Sequence, residues 1–283
     1  MDIVKTINQL RLAVQKGRAE GKTIGLVPTM GALHRGHASL IEAAVKKCDF
    51  VIVSIFVNPT QFGPNEDLDK YPRDLEGDAK ICEQAGADII FTPDVNEMYP
   101  DKIITWVEVE DLTDNLCGKS RPGHFKGVTT VCAKLFNVVC PDTAFFGQKD
   151  AQQAVVIKRM VKDLNMPLKI EICPTVREES GLAISSRNQY LSESEKKEAE
   201  LLYAALEKCE EMVGKGVSNR GKLVDAMREM LAKSPNLNVE YISIVDMETL
   251  KDIDNITSGS LVAMAVKIGA TRLIDNIIVD TNK

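Results

Sequence analysis

His34-Arg35-Gly36-His37 sets two imidazoles three residues apart. Before them runs Ile24 to Val27, an apolar stretch punctuated by Gly25, Pro28 and Gly31. After them Leu40, Ile41, Ala44, Val45 and Cys48 recur at helical spacing. The pair therefore falls in the first turn of a helix that follows a strand. Backbone N–H groups at a helix start lack internal partners and sit at the positive end of the dipole, so an anion is favoured there and imidazoles add donors. Gly36 would let a base or a phosphate approach closely. A metal-binding pair and two surface histidines are the alternatives on these four residues alone. Only three histidines occur, and none of the seven cysteines adjoins the pair, so further zinc ligands are not nearby in sequence.

Phe145-Phe-Gly-Gln-Lys-Asp150 repeats the same logic: a strand ends in Gly147 and a helix begins at Asp150, leaving Lys149 as a point charge where phosphates would lie. Asp150 and Gln153 read equally well as a capping box and as ligands. Gly181-Leu-Ala-Ile-Ser-Ser-Arg-Asn188 carries two hydroxyls and a guanidinium without the apolar spacing of a core element. It suits a loop that closes over phosphates, and equally a polar turn before a helix capped at Ser192. Gln61, in Asn58-Pro-Thr-Gln-Phe-Gly63, offers a neutral amide to a hydroxy acid.

These segments need a scaffold. Val51 to Val57 reads as a buried strand, Arg73 to Ala85 as a helix closed by Gly86, and Asp88 to Phe91 as a strand. Val128, Val131, Cys132, Leu135, Phe136 and Val139 form the apolar face of a helix that stops at Pro141. Thr143 to Phe146, a helix from Ala151 and a strand at Leu168 to Cys173 continue the alternation. Strands alternating with helices imply a parallel sheet covered on both faces, with ligands at the strands' carboxyl ends. That rule puts the His pair, Asn58 to Gln61, and Gly147 to Asp150 at one edge. After about Pro174 the pattern changes to two charged amphipathic helices, near 194–213 and 219–232, and three strand-like runs, 239–245, 261–268 and 272–279. The expectation is α/β: a Rossmann-like parallel-sheet domain over 1–174, and a smaller α+β domain over 175–283 with a small antiparallel sheet.

The chain is 283 residues long, 44% apolar and 27% charged, with a formal charge of −6. This is the profile of an ordinary globular protein, and the acidic balance argues against nucleic acid or an anionic membrane as the main partner. No apolar run approaches the ~20 residues of a membrane span, and the N-terminus lacks a signal-peptide pattern. Cys48, Cys82, Cys117, Cys132, Cys140, Cys173 and Cys209 are odd in number and never spaced as C-x-x-C, which suits small core residues in a reducing cytoplasm. Neither G-x-x-x-x-G-K-[ST] nor a G-x-G-x-x-G after the first strand occurs, which argues against a P-loop kinase and a hydride-transferring dinucleotide enzyme.

Six segments taken together carry a resemblance: 28–37 with its H-x-G-H, 56–67 with Asn-Pro-Thr-Gln-Phe-Gly, 121–125 (Arg-Pro-Gly-His-Phe), 146–150, 181–188 with Ser-Ser-Arg-Asn, and 271–276 (Thr-Arg-Leu-Ile-Asp-Asn). In these the chain resembles the pantothenate synthetase (pantoate–β-alanine ligase) family, within the wider H-x-G-H group of Rossmann-like nucleotidyltransferases. The resemblance implies ATP-dependent condensation of pantoate with β-alanine through a pantoyl adenylate, releasing pyrophosphate and then AMP, with Mg²⁺ on the phosphates, in a homodimer. Carried over residue by residue, it implies an ATP site of Met30, Gly31, Ala32, Leu33, His34, Arg35, Gly36 and His37, with Gly147, Gln148, Lys149 and Asp150. Val176, Ile184, Ser185, Ser186 and Arg187 would close that site. Gln61 and Gln153 would hold pantoate, and Gln61 would also face β-alanine; metal ligands are not implied. Ala151 stands where the family usually has an aromatic, Ser180 where it has Asp, and Ile184 where it has Met.

The chemistry suits these residue types. A carboxylate is already a nucleophile, so adenylation needs no base. It needs donors for charge on the α-phosphoryl group and on the leaving pyrophosphate, and His34, His37, Lys149, Ser185, Ser186 and Arg187 are those donors. Two other readings stay open on sequence: a nucleotidyltransferase that leaves AMP or CMP on a phosphorylated acceptor, and a catalytically silent nucleotide-binding module.

Overall fold

The computed structural model describes residues 1–64 and 66–281. Its elements alternate from the start: β1 (Asp2–Val4), α1 (Ile7–Ala19), β2 (Ile24–Thr29), α2 (Arg35–Lys47), β3 (Phe50–Ile55), α3 (Leu75–Ala85), β4 (Ile89–Phe91), α4 (Val95–Met98), α5 (Cys117–Ser120), α6 (His124–Val139), β5 (Thr143–Gly147), α7 (Ala151–Asp163) and β6 (Lys169–Cys173). There follow α8 (Glu193–Gly214), α9 (Arg220–Leu231), β7 (Leu237–Val245), β8 (Leu261–Ile268) and β9 (Thr271–Ile278). The strand at Ile24 is thus not the first. β1 and α1 precede it, the helix held by a Thr6 and Gln9 capping box.

The chain divides into two compact units. One comprises 1–110, 121–148 and 156–174; the other comprises 111–120, 149–155 and 175–283. In the first, the six strands are all parallel in the order β1-β4-β3-β2-β5-β6. Side chains alternate across a strand, so a sheet buried on both faces needs apolar residues at every position. Leu26, Ile52, Ile89, Phe91, Ala144 and Phe146 pack on one face with Leu10 and Val14 of α1 and the Val128 to Val139 face of α6. Val27, Val51, Val53, Ile90 and Phe145 pack on the other with Leu40, Ile41 and Ala44 of α2 and Cys82 of α3. α3 starts at Asp74, whose side chain accepts the Gly77 N–H, and ends at Gly86 in the left-handed conformation.

In the second unit β7, β8 and β9 form an antiparallel sheet. Its inner side chains, Ile244, Val262, Met264 and Val266 among them, pack with Leu202, Leu206 and Cys209 of α8 and Leu223 and Met227 of α9. Ser192 caps α8 with Glu195 reaching back to it, as the sequence suggests. Six of the cysteines are buried; Cys140 is the exception, exposed just past the end of α6. Among the described residues no helix is long and apolar enough to cross a membrane.

Candidate active site

In the parallel sheet, β2 lies between β3 and β5, and strand order reverses between β2 and β5. Connections from β2 and β3 run one way and those from β5 the other, which leaves a crevice at the carboxyl ends of the central strands. Three of the expected segments follow these ends: Met30 to His37 after β2, Asn58 to Gln61 after β3, and Gly147 and Gln148 at the end of β5.

The turn after β2 is held from beneath. Gly31 and Ala32 both have positive φ, and the buried Asp78 of α3 accepts the N–H groups of Ala32 (3.1 Å) and Leu33 (2.6 Å). Burial pushes the Asp78 carboxyl above its ordinary range, although the two backbone N–H groups oppose the shift. Nothing in the periodicity of α3 marks Asp78 as more than a residue of an acidic first turn. His34 then caps α2: its Nδ1 accepts the Gly36 N–H at 3.1 Å, and Nδ1 of His37 accepts the His34 N–H at 3.3 Å. The rings lie 4.0 Å apart. Since Nδ1 of each accepts, the neutral rings carry their protons on Nε2, which makes Nε2 a donor. A Cβ on Gly36 would lie 2.9 Å from Cε1 of His34, so the glycine also makes room for the capping imidazole.

After β3, the buried Asn58 organises a 3-10 turn, Pro59–Gln61. Its Oδ1 accepts from Thr60 Oγ1 (2.9 Å) and the Tyr99 hydroxyl (3.0 Å), and its Nδ2 donates to Gln61 Oε1 (3.1 Å) and to the Gly127 carbonyl (3.2 Å). Gln61 Nε2 lies 2.9 Å from the Met30 sulfur, so the first two expected segments meet.

The remaining expected residues, from Lys149 on, belong to the second unit. Gln148, Lys149 and Asp150 form a 3-10 turn that runs into α7. Asp150 is the last residue of that turn, directly before α7. The Lys149 side chain is 21% exposed with Nζ 3.8 Å from Asp150 Oδ1, and its carbonyl accepts from Asn276 Nδ2 at 2.9 Å. Next to the half-buried Gln153, Gln152 is buried and structural. Its amide accepts the Cys117 N–H (2.9 Å) and donates to the carbonyls of Leu112 and Asn115. Sequence reasoning passes over it, since one amide looks like its neighbour.

Segment 176–190 is more built than an open loop. Ile184 N–H donates to the Val176 carbonyl at 3.0 Å, bringing those two together, and Arg177 bridges Ala183. Leu182 and Leu191 join the core, contrary to the expectation that this stretch has no core spacing. Ser185 then caps a 3-10 turn, Ser186–Tyr190, accepting the Arg187 N–H. The turn's base is anchored by Arg177, which donates to both carboxylate oxygens of Asp275 (2.6 and 3.0 Å) and to the Gly181 carbonyl (3.1 Å). Asp275 and Asn276, neighbours on β9, therefore hold the Ser-Ser-Arg segment and Lys149 respectively, a use of 271–276 not visible in the sequence.

The chain matches the family model described as pantoate-beta-alanine ligase over residues 2–278. It belongs to that family. A pantothenate synthetase of Acetivibrio thermocellus is 53% identical over 280 residues, covering 99% of this chain and 100% of that protein. One from Pelotomaculum thermopropionicum is 54% identical over 278 residues, 98% of this chain and 99% of its own. Among solved structures, pantothenate synthetase from Thermus thermophilus superposes with a TM-score of 0.95 at 46% identity, covering 99% and 100% of the two chains. The pantoate–β-alanine ligase of Francisella tularensis, solved with beta-gamma ATP and β-alanine, does so at 0.81 and 36%, covering 100% and 98%. As a pantoate–β-alanine ligase, the chain is an amide-forming enzyme that condenses pantoate with β-alanine.

Proposed function

We propose that the ligase reaction runs through a pantoyl adenylate made from ATP. A pantoate carboxylate oxygen attacks the α-phosphorus, the bond to the bridging oxygen breaks and pyrophosphate leaves. The β-alanine ammonium gives up one proton, the neutral nitrogen attacks the acyl carbon, AMP leaves with the electron pair of the broken C–O bond, and a second N–H proton is lost to solvent. The observation that carries this reading is the His pair: two imidazoles whose Nδ1 atoms accept backbone N–H groups, so that Nε2–H is the donor, at a helix start at the sheet's switch point.

In this proposal Met30 to His37, Gly147 to Asp150, Val176 and Ile184 to Arg187 bind ATP. His34, His37, Lys149, Ser185, Ser186 and Arg187 stabilise charge on the phosphoryl group in flight and on pyrophosphate. Residues 1–174 carry nucleotide and pantoate binding, and 175–283 supply the Ser-Ser-Arg closure. Gln61 and Gln153 hold pantoate, and Gln61 faces β-alanine. His37 is the candidate proton carrier for the amine. The Francisella relative's complex with beta-gamma ATP and β-alanine supports both ligands. Among the described residues no three His, Cys, Asp or Glu side chains gather as a metal group. Mg²⁺ on ATP needs only one or two protein carboxylates beside the phosphate oxygens, so in this reading its main ligands come from the nucleotide. The reading places the enzyme in a homodimer, as the resemblance implies, and in the cytoplasm, which seven free thiols suit.

Product analysis tests the route. With ATP, Mg²⁺, pantoate and β-alanine, AMP and pantothenate should accumulate in equal amounts with no ADP. ADP and phosphate in place of AMP would overturn it.

A further inference from the structure

His124, the one histidine that the phosphate chemistry does not use, is buried at the start of α6. Its Nε2 lies 2.9 Å from Arg121 Nη1 and its Nδ1 lies 2.9 Å from the Gln61 carbonyl oxygen. A guanidinium has only donors, so Nε2 must accept. A neutral ring therefore carries its proton on Nδ1, and that N–H donates to Gln61. The guanidinium is fixed in turn: Arg121 Nε and Nη2 donate to the two oxygens of Glu66 at 2.8 and 2.5 Å, with both side chains partly buried. Burial pushes the Glu66 carboxyl up, but the hydrogen bonds and charge of Arg121 outweigh it and hold that carboxyl below its ordinary range. The result is a one-way chain of donors from Arg121, clamped by Glu66, through His124 to the backbone of Gln61. The same helix closes on this turn again one step later. A Cβ on Gly127 would lie 2.3 Å from the Thr60 carbonyl oxygen and 2.7 Å from Gln61 Cα.

We propose that His124 is a positioning residue for the acid substrate, acting through the Gln61 backbone, with Arg121 and Glu66 selecting the tautomer it needs. This rests on the reading of Gln61 as a pantoate ligand. Both ends of His124 are engaged within the chain, so its work is to fix where the Gln61 amide sits while Asn58 and Met30 hold that amide's two ends. Histidine fits because it is flat and accepts at one edge while donating at the other. An asparagine amide reproduces the Nδ1 donor; a glutamine amide lies nearer the Nε2 position and loses it.

The tautomer is directly observable. With ¹⁵N-labelled enzyme at a pH where all three rings are neutral, His124 should report Nδ1–H, and His34 and His37 should report Nε2–H. In kinetics, His124→Gln should raise the KM for pantoate about tenfold, the scale of one buried carbonyl left without its donor, while moving the KM for ATP by less than about twofold. His124→Asn should recover most of the loss. Combined with Gln61→Ala, His124→Gln should add nothing further, because residues acting as one unit are not additive. Should His124→Gln fail to fold, Glu66→Gln, changed at a partly exposed site, carries the same test and should raise the pantoate KM about threefold with ATP unaffected. The proposal is overturned by an Nε2–H tautomer at His124. It is equally overturned by equal rises in both KM values that His124→Asn does not rescue, or by an unchanged pantoate KM in His124→Gln, or in Glu66→Gln where that variant carries the test. A Gln61→Ala enzyme with an unchanged pantoate KM would instead overturn the Gln61 reading, whatever the tautomer.

Discussion

Alanine at His37 or Lys149 is expected to lower kcat by on the order of 10²-fold or more while leaving the protein folded, the size of one lost transition-state donor. The two sites are close to independent of stability for different reasons. His37 contributes one cap hydrogen bond to a helix that Leu40, Ile41 and Ala44 bury, so its loss costs about 1 kcal/mol of the helix's hold on the sheet. The structural contact of Lys149 is its carbonyl, held by Asn276, and alanine keeps that carbonyl. Among the described residues its side chain makes a long approach to a half-exposed Asp150, which is worth about 1 kcal/mol at most. Single-turnover rates beside thermal melts check this. Near-wild-type turnover in either variant removes that residue from the catalytic set.

Asp78→Ala is expected to do the opposite, lowering the melting temperature and the ATP-dependent rate together. It leaves the Ala32 and Leu33 N–H groups without their acceptor, at about 1–3 kcal/mol each. The Met30 to Leu33 turn, with Gly31 and Ala32 at positive φ, has then lost what holds it, and the KM for ATP should rise about tenfold. Asp78→Asn keeps one acceptor oxygen and should fall between. The pH dependence has a definite sign. The folded-state pKa of Asp78 is raised, so its proton-linked contribution to stability is full below the ordinary 3.8 and is lost as pH rises through the folded value. Asp78→Asn should lack that slope. Identical melting curves for Asp78→Ala and wild type would contradict the role given to this carboxylate.

What could be read from the sequence was what local pattern encodes. Alternating apolar runs and helical faces gave the parallel sheet, because burial on both sides forces every position of Val51 to Val53 or Phe145 to Phe146 to be apolar. Strands at 239–245, 261–268 and 272–279 with short connections gave the antiparallel sheet. The His pair was placed at a helix start by a glycine, a proline and the spacing of Leu40 to Ala44. What could not be read depends on partners distant in the chain: Asp78 under the turn at Ala32, Asn276 on the Lys149 carbonyl, Arg177 between Asp275 and Gly181, and Glu66 behind Arg121 and His124. These are single polar residues with no periodic signal. At Gly36 the residue type is legible in the sequence, but the closeness of the His34 ring is not. β1 and α1 are not legible there, because a three-residue strand and a charged helix leave weak patterns.

The adenylate is the centre of the account, and isotope exchange tests it most directly. With ATP, Mg²⁺ and pantoate but no β-alanine, the enzyme should pass labelled pyrophosphate into ATP, and the exchange should vanish when pantoate is left out. An enzyme that shows no such exchange, yet completes the full reaction with ADP and phosphate as products, would be working through an acyl phosphate and would contradict the roles assigned to the His pair.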